Sequence, residues 1–153
     1  MAAFDVTNSL RTIEKVLKTS GRYALVRIGE PKQPPITGQG IAAAVYMESS
    51  SVVGTTLTNP IEVHTVSVRF YRAVLDQPED KAEIDLANAV ADFEADLDGD
   101  YTLGGAVRNI DVAGQHGGGL SAAWGYVEIG GTMFRTAAVT VPLIVDPDVA
   151  FVA

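Results

Sequence analysis

No cysteine occurs anywhere in the 153 residues, which excludes disulfides and thiolate chemistry. A reducing compartment is compatible with that absence. No apolar run approaches the roughly 20 residues that a membrane helix needs. The N-terminal stretch MAAFDVTNSL has neither a basic n-region nor an apolar h-region, so no signal peptide and no membrane association are expected. Histidine is scarce: of the two in the chain, His64 sits in a strand pattern, where a structural role is expected, and His116 lies in a glycine loop with no nearby Cys, His or Glu to complete a metal site. No Walker loop, zinc signature, kinase motif or G-x-S-x-G elbow appears. What remains is ordinary globular composition, 47% apolar and 20% charged. A chain of this length buries a core without staples, so one soluble domain, 1–153, is expected.

Charge is unevenly distributed. The net charge is −8, yet residues 76–100 carry ten acids against Lys81, a local balance of −9, and the remainder sums to +1. Residues 1–75 carry eight bases and five acids. A globally acidic chain is a poor gripper of phosphates. A charge-separated one can meet its own copies positive to negative.

Val6, Leu10, Ile13 and Leu17 recur at i, i+4, i+7 and i+11, predicting a helix over 6–19 with Asp5 or Thr7 as its cap and Gly21 at its end. Arg11, Lys15 and Lys18 share one flank of it. A strand is predicted at 22–28, then a Pro/Gly-rich loop at 29–40, and a second strand at 40–48. Residues 49–60, rich in Ser, Thr and Gly, are expected to be a flexible loop or the tip of a long hairpin. Residues 61–75 alternate strongly, with His64, Val66, Val68, Phe70 and Val74 on one face and Thr65, Ser67, Arg69 and Tyr71 on the other. A second helix is expected to start at Asp76 or Gln77 and reach Leu97. Leu86, Val90, Phe93 and Leu97 form its core stripe, and Ile84, Ala87, Ala91 and Ala95 lie nearly opposite. Small residues there let another backbone approach closely, although alanine is also simply a good helix former. Strands at 107–112, 120–129 and 132–145 follow, with a flexible loop at 113–119 and a Gly130-Gly131 hairpin turn. The order helix, three strands, helix, three strands predicts an α+β fold: a mostly antiparallel sheet with two helices packed on one face.

Three motifs fall short of chemistry. Asp96, Asp98 and Asp100 begin like a calcium loop, but glycine occupies the fourth position and Val107 the twelfth. The G-x-G-x-x-A match at Gly38–Ala43 follows Pro34-Pro35 and precedes a strand, the wrong context for a dinucleotide. His64 and His116 leave a serine-histidine-acid assembly open to sequence. No catalytic residue, cofactor or metal is therefore assigned.

The stretches HTVSVRFYRAVL, DFEADLDGDYTLGGAVRNIDV and GYVEIGGTMFRTAAVTVPLIV, with the short first helix and the proline-rich loop, resemble the tail terminator proteins of long-tailed, siphovirus-type bacteriophages over nearly the whole chain. The resemblance implies a structural virion protein with no catalytic residues. Such proteins form a ring, usually a hexamer, that caps the head-proximal end of the tail tube, ends its polymerisation and docks the head–neck connector. DNA passes through the ring without specific binding. Assembly would take place in the host bacterial cytoplasm. Neck or head-completion proteins share similar layouts, and a small ligand-binding or hydrolytic domain using His64 or His116 is the reading from another class.

A ring needs two different, complementary patches on each subunit. The candidate interface residues are Arg11, Lys15 and Lys18 on the first helix, facing Glu83, Asp85, Asp92 and Glu94 on the second, with Ile84, Ala87, Ala91 and Ala95 on the latter's small-residue face. The same charges are also free to pair within one subunit.

Overall fold

In the computed structural model, which describes residues 6–35, 40–55, 60–74 and 79–146, the chain forms α1 (Val6–Ser20), β1 (Leu25–Ile28), β2 (Ile41–Thr55), β3 (Pro60–Ala73), α2 (Glu79–Asp98), β4 (Asn109–Ile110), β5 (Ser121–Ile129) and β6 (Thr132–Val145). The sheet runs in the order β1-β2-β3-β6-β4, and β5 also pairs with β6. All pairings are antiparallel except β1 with β2. Thus β6 is shared: β3 takes one edge, while β5 and β4 divide the other between residues 132–140 and 143–144.

The predicted fold class holds, and the alternation of β3 explains why. Val66, Val68 and Phe70 point to the helix side with Ala43 and Val45 of β2 and Ala137, Val139 and Val141 of β6. Phe70 has an alanine opposite it on each neighbouring strand, Ala43 and Ala137. The room this leaves is filled by Tyr23, stacked at 5.3 Å, and by Phe93 of α2, edge-on at 5.7 Å. The core stripe Leu86, Val90, Phe93 and Leu97 is buried as its spacing requires, and Ile13 and Leu17 join it from α1. Each such side chain contributes about 1.5–3 kcal/mol. The stripe on α1 frays at its start, where Val6 is exposed. Gly21, at φ +70°, turns the chain out of α1, and the Ser20 hydroxyl donates to the Leu17 carbonyl at 2.7 Å.

Parallel neighbours cannot be joined by a tight turn, so β1 reaches β2 by a crossover. That crossover is the proline-rich segment after Ile28, and it lies across the sheet face opposite the helices. Glu30 reaches Arg69 of β3 at 3.6 Å. Pro34 sits so close to Gly130, in the β5–β6 turn, that a Cβ there would meet its Cδ at 2.8 Å. Pro31 is buried. On this face Ala42, Ala44, Tyr71, Ala73 and Phe134 form a second, smaller core, with Tyr71 and Phe134 edge to face at 6.0 Å.

Several boundaries differ from expectation. Of the two expectations for 49–60, the long hairpin holds and the loop does not: β2 continues to Thr55 and pairs with β3 from Pro60, with irregularities at Met47/Ser49 and Val52/Gly54. Polar side chains there hid a strand whose order comes from backbone pairing. The tip at 56–59, the centre of the first loop at 36–39, and the expected caps Asp5, Asp76 and Gln77 lie outside the described residues. The strand predicted at 22–28 begins at Leu25, and the one at 107–112 contracts to Asn109–Ile110. Val74 lies past the end of β3 and is exposed rather than continuing the core face. The 113–119 loop is held in place by Asp111, whose buried carboxylate accepts the backbone N–H of Gln115 at 2.8 Å and of His116 at 3.0 Å.

Candidate assembly surface

Of the two histidines, the structure gives one a constellation. His64, on the helix face of β3, is fully buried, and its Nδ1 lies 2.8 Å from the Ser9 hydroxyl of α1, also fully buried. Its Nε2 lies 2.7 Å from Oε1 of Glu62. A carboxylate only accepts, so the chemistry assigns the Nε2 proton to the Glu62 bond and leaves Nδ1 to accept from Ser9. The three residue types are those of a hydrolytic triad, but a nucleophile has to meet a carbonyl carbon. Ser9 is fully buried, so no substrate carbonyl reaches its hydroxyl in this fold. As folded, this group ties α1 to β3. His116 is exposed on its loop.

The three spaced aspartates disperse. Asp96 accepts a bidentate pair from Arg22 at 2.8 and 3.3 Å, and Asp98 accepts the Tyr101 hydroxyl at 2.7 Å. The Asp96 hydrogen bond, opposed by burial, raises the Arg22 pKa above its ordinary value. Burial pushes the neighbouring Tyr23 up to about 12. Among the described residues no group of three or more His, Cys, Asp or Glu converges as a metal site. A cleft of about 480 Å³ between α1 and the turn after α2 sets Lys15 against Asp96 and Asp100.

The candidate interface residues separate into three groups. Arg11, Lys15 and Lys18 lie together on the exposed flank of α1. Arg11 and Lys18 hold Glu14 of their own helix between them, at 3.1 and 3.4 Å. Burial pushes the Glu14 carboxyl up, but the hydrogen bonds from Arg11 and Lys18 outweigh it and keep it below 4.5. On α2, Asp85 and Asp92 occupy the flank toward β1 and β3, where Asp85 meets Arg72 and Lys81, and Asp92 meets Arg22. Glu83 occupies the other flank and takes a bidentate pair from Arg135 of β6, at 2.7 and 3.1 Å. That hydrogen bond, against a smaller opposing effect of burial, lowers the Glu83 pKa. Ala87, Ala91 and Glu94 follow Glu83 at i+4, i+8 and i+11, so they share its flank. Ile84, Ala87, Ala91 and Ala95 are all exposed.

That flank borders a sheet surface which sequence reading overlooked. Helix α2 packs chiefly against β3 and β6. On β5, Trp124 lies opposite Ala137 and Tyr126 opposite Arg135, which puts both aromatics on the helix side of the sheet. With no helix of the described residues above them, Trp124 is 42% and Tyr126 67% exposed, and Met133 on the same face is 44% exposed. Arg135 bridges the two elements, stacking its guanidinium 4.5 Å over the Tyr126 ring while it holds Glu83. The signal in sequence was SAAWGYVEI itself, apolar on both faces of a strand: Val127 and Ile129 pack against the second core, so Trp124 and Tyr126 must face elsewhere. Ser9 carried a similar signal, a polar side chain four residues before Ile13 on the buried stripe.

A scan against models of known protein families matches none, and a search of curated proteins finds no match.

Proposed function

We propose that this chain is a structural assembly protein of the tail-terminator type, a subunit of a hexameric ring that caps the head-proximal end of a phage tail tube and docks the neck. In this reading it catalyses nothing, and DNA passes through the ring without specific contact. One observation carries the assembly part of the reading: the exposed apolar shelf of Trp124, Tyr126 and Met133 on the helix side of β5 and β6. Large side chains left in water next to a small-residue helix flank mark a surface that another protein covers. The particular assembly follows from the resemblance of the β3, α2 and β5–β6 stretches to tail terminators. Segregated charge supports contact between unlike patches, which is what ring closure requires. Burial of Ser9 and His64 weighs against the hydrolytic reading.

The test is the solution mass across a wide concentration range, with electron microscopy. The expected species is a ring of about 97 kDa, six copies of the 16.1 kDa chain, with a central hole. Recruitment to the ends of purified tail tubes assigns it to the terminator. Binding to the neck without binding to tubes assigns it to head completion. A monomer at every concentration that also ignores tubes sinks the reading.

A further inference from the structure

We infer that the outer edge of β5 docks β5 of a second copy, the two strands running antiparallel about a two-fold axis at Gly125. Of the sheet's two sides, one is guarded and one is not. On the far side, β1 is only four residues long, and the part of β2 that it leaves uncovered is broken by register shifts at Met47/Ser49 and Val52/Gly54. Short edge strands and bulges keep other strands from adding to a sheet. On the near side β5 has neither protection. It runs for nine residues in unbroken register with β6, its only strand partner among the described residues. It contains no proline and no lysine, and Glu128 is its one charge. In an antiparallel strand every second residue turns both its N–H and its C=O away from the neighbour it already has. The outer side of β5 therefore offers a row of backbone donors and acceptors that a further strand satisfies.

Side chains select the occupant. Antiparallel pairing centred on Gly125 sets Trp124 opposite Tyr126 of the second copy, and Tyr126 opposite its Trp124, on the helix side where both are exposed. Two directly opposed aromatic pairs result, with Cβ atoms about 4.5–5.5 Å apart. Arg135 already stacks over Tyr126 from the β6 side, so the row runs on into each subunit. On the other face Ala123 meets Val127. Glu128 falls opposite Ala122, which holds the two Glu128 carboxylates about 20 Å from each other, too far to repel strongly. Moving the register by two positions leaves one aromatic pair, and moving it by one turns the second copy's aromatics to the opposite face. Neither β1 nor the uncovered part of β2 carries two aromatics at this spacing. The strand that fits β5 is therefore β5 itself. The contact is isologous and complete with two copies, so it goes beyond the ring reading and does not depend on it. A hexamer containing it is three such pairs joined through other surfaces.

The absence of cysteine makes the test direct, and a Cβ added at Gly125 would meet only Thr136 Oγ1, at 3.6 Å. Under mild oxidation, the full-length Gly125→Cys chain should give a disulfide dimer of about 32 kDa, twice the chain mass. The yield should clearly exceed that of Gly118→Cys, whose loop position has open space around it. In parallel, Trp124→Lys should raise the dissociation constant of the pair, read by sedimentation equilibrium, by about tenfold or more, as loss of a central aromatic anchor does. Trp124 is exposed in the single chain, so the melting temperature of the Trp124→Lys monomer should stay within a few degrees of wild type. A Gly125→Cys chain no richer in dimer than Gly118→Cys overturns the inference. So does an assembly indifferent to Trp124→Lys, which leaves the ring reading standing on another surface. A pair that forms and weakens with Trp124→Lys, with no larger species and no binding to tubes, upholds the edge contact and sinks the ring reading alone.

Discussion

His64 pairs both ring nitrogens, Nδ1 with Ser9 of α1 and Nε2 with Glu62 of its own strand, so one buried hydrogen bond ties α1 to β3. Removing the ring leaves a cavity and two orphaned polar groups, so His64→Ala should cost about 2–4 kcal/mol. Ser9→Ala, which removes the buried hydroxyl at Nδ1, should cost about 1–3 kcal/mol. His116 is exposed, and His116→Ala should stay within about 0.5 kcal/mol of wild type. Urea midpoints at constant m-value decide this. Equal effects at the two histidines would refute the tether. Sequence distinguished these residues only by context, strand against glycine loop; the partner Ser9 lies 55 positions away and becomes visible only when α1 docks.

At the level of elements, the β5–β6 turn and the crossover loop depend on each other. Gly130 and Gly131 both take positive φ, +57° and +82°, as the tight hairpin demands. Their surroundings differ: Gly131 faces open space, whereas a side chain on Gly130 would strike Pro34. Gly131→Ala should cost about 1 kcal/mol in backbone strain alone. Gly130→Ala should cost about 2–3 kcal/mol, since it also lifts the loop from the second core. Thermal denaturation of the pair measures the difference, and equal losses would mean that the loop is not anchored there. The hairpin was legible from two adjacent glycines. The contact with Pro34 was not, because the parallel β1–β2 pairing that sends the loop across the sheet leaves no local signature.

Across the whole molecule, the acidic segment is also part of what holds α2 down. Glu83, Asp85 and Asp96 each meet an arginine from a different element, namely Arg135, Arg72 and Arg22. Arg72 is 1% exposed, so its buried charge leans on Asp85. For Glu83 and Glu14 the folded carboxyl sits below its ordinary 4.5, so the unfolded chain takes up protons first as pH falls. Their stabilisation is fully present above 4.5 and is lost as pH drops through the lower folded values. Urea midpoints should therefore hold from about pH 7 to about pH 5 and fall below that, and Glu14→Gln with Glu83→Gln should flatten part of the fall. An acid limb unchanged in the double variant would remove these two groups from the account.

Periodicity was enough to establish the two helices, their core stripes, the alternation of β3 and the α+β class, because each is a local consequence of 3.6- or 2-residue repeats meeting water on one side. The spread of charge, too, was readable from the chain alone. Which arginine meets each flank of α2, where the crossover loop lies, and that no helix of the described residues covers Trp124 and Tyr126 are decided by strand order. Strand order depends on which distant segments pair, and pairing is settled by burial summed over the whole sheet, which no local stretch of residues encodes.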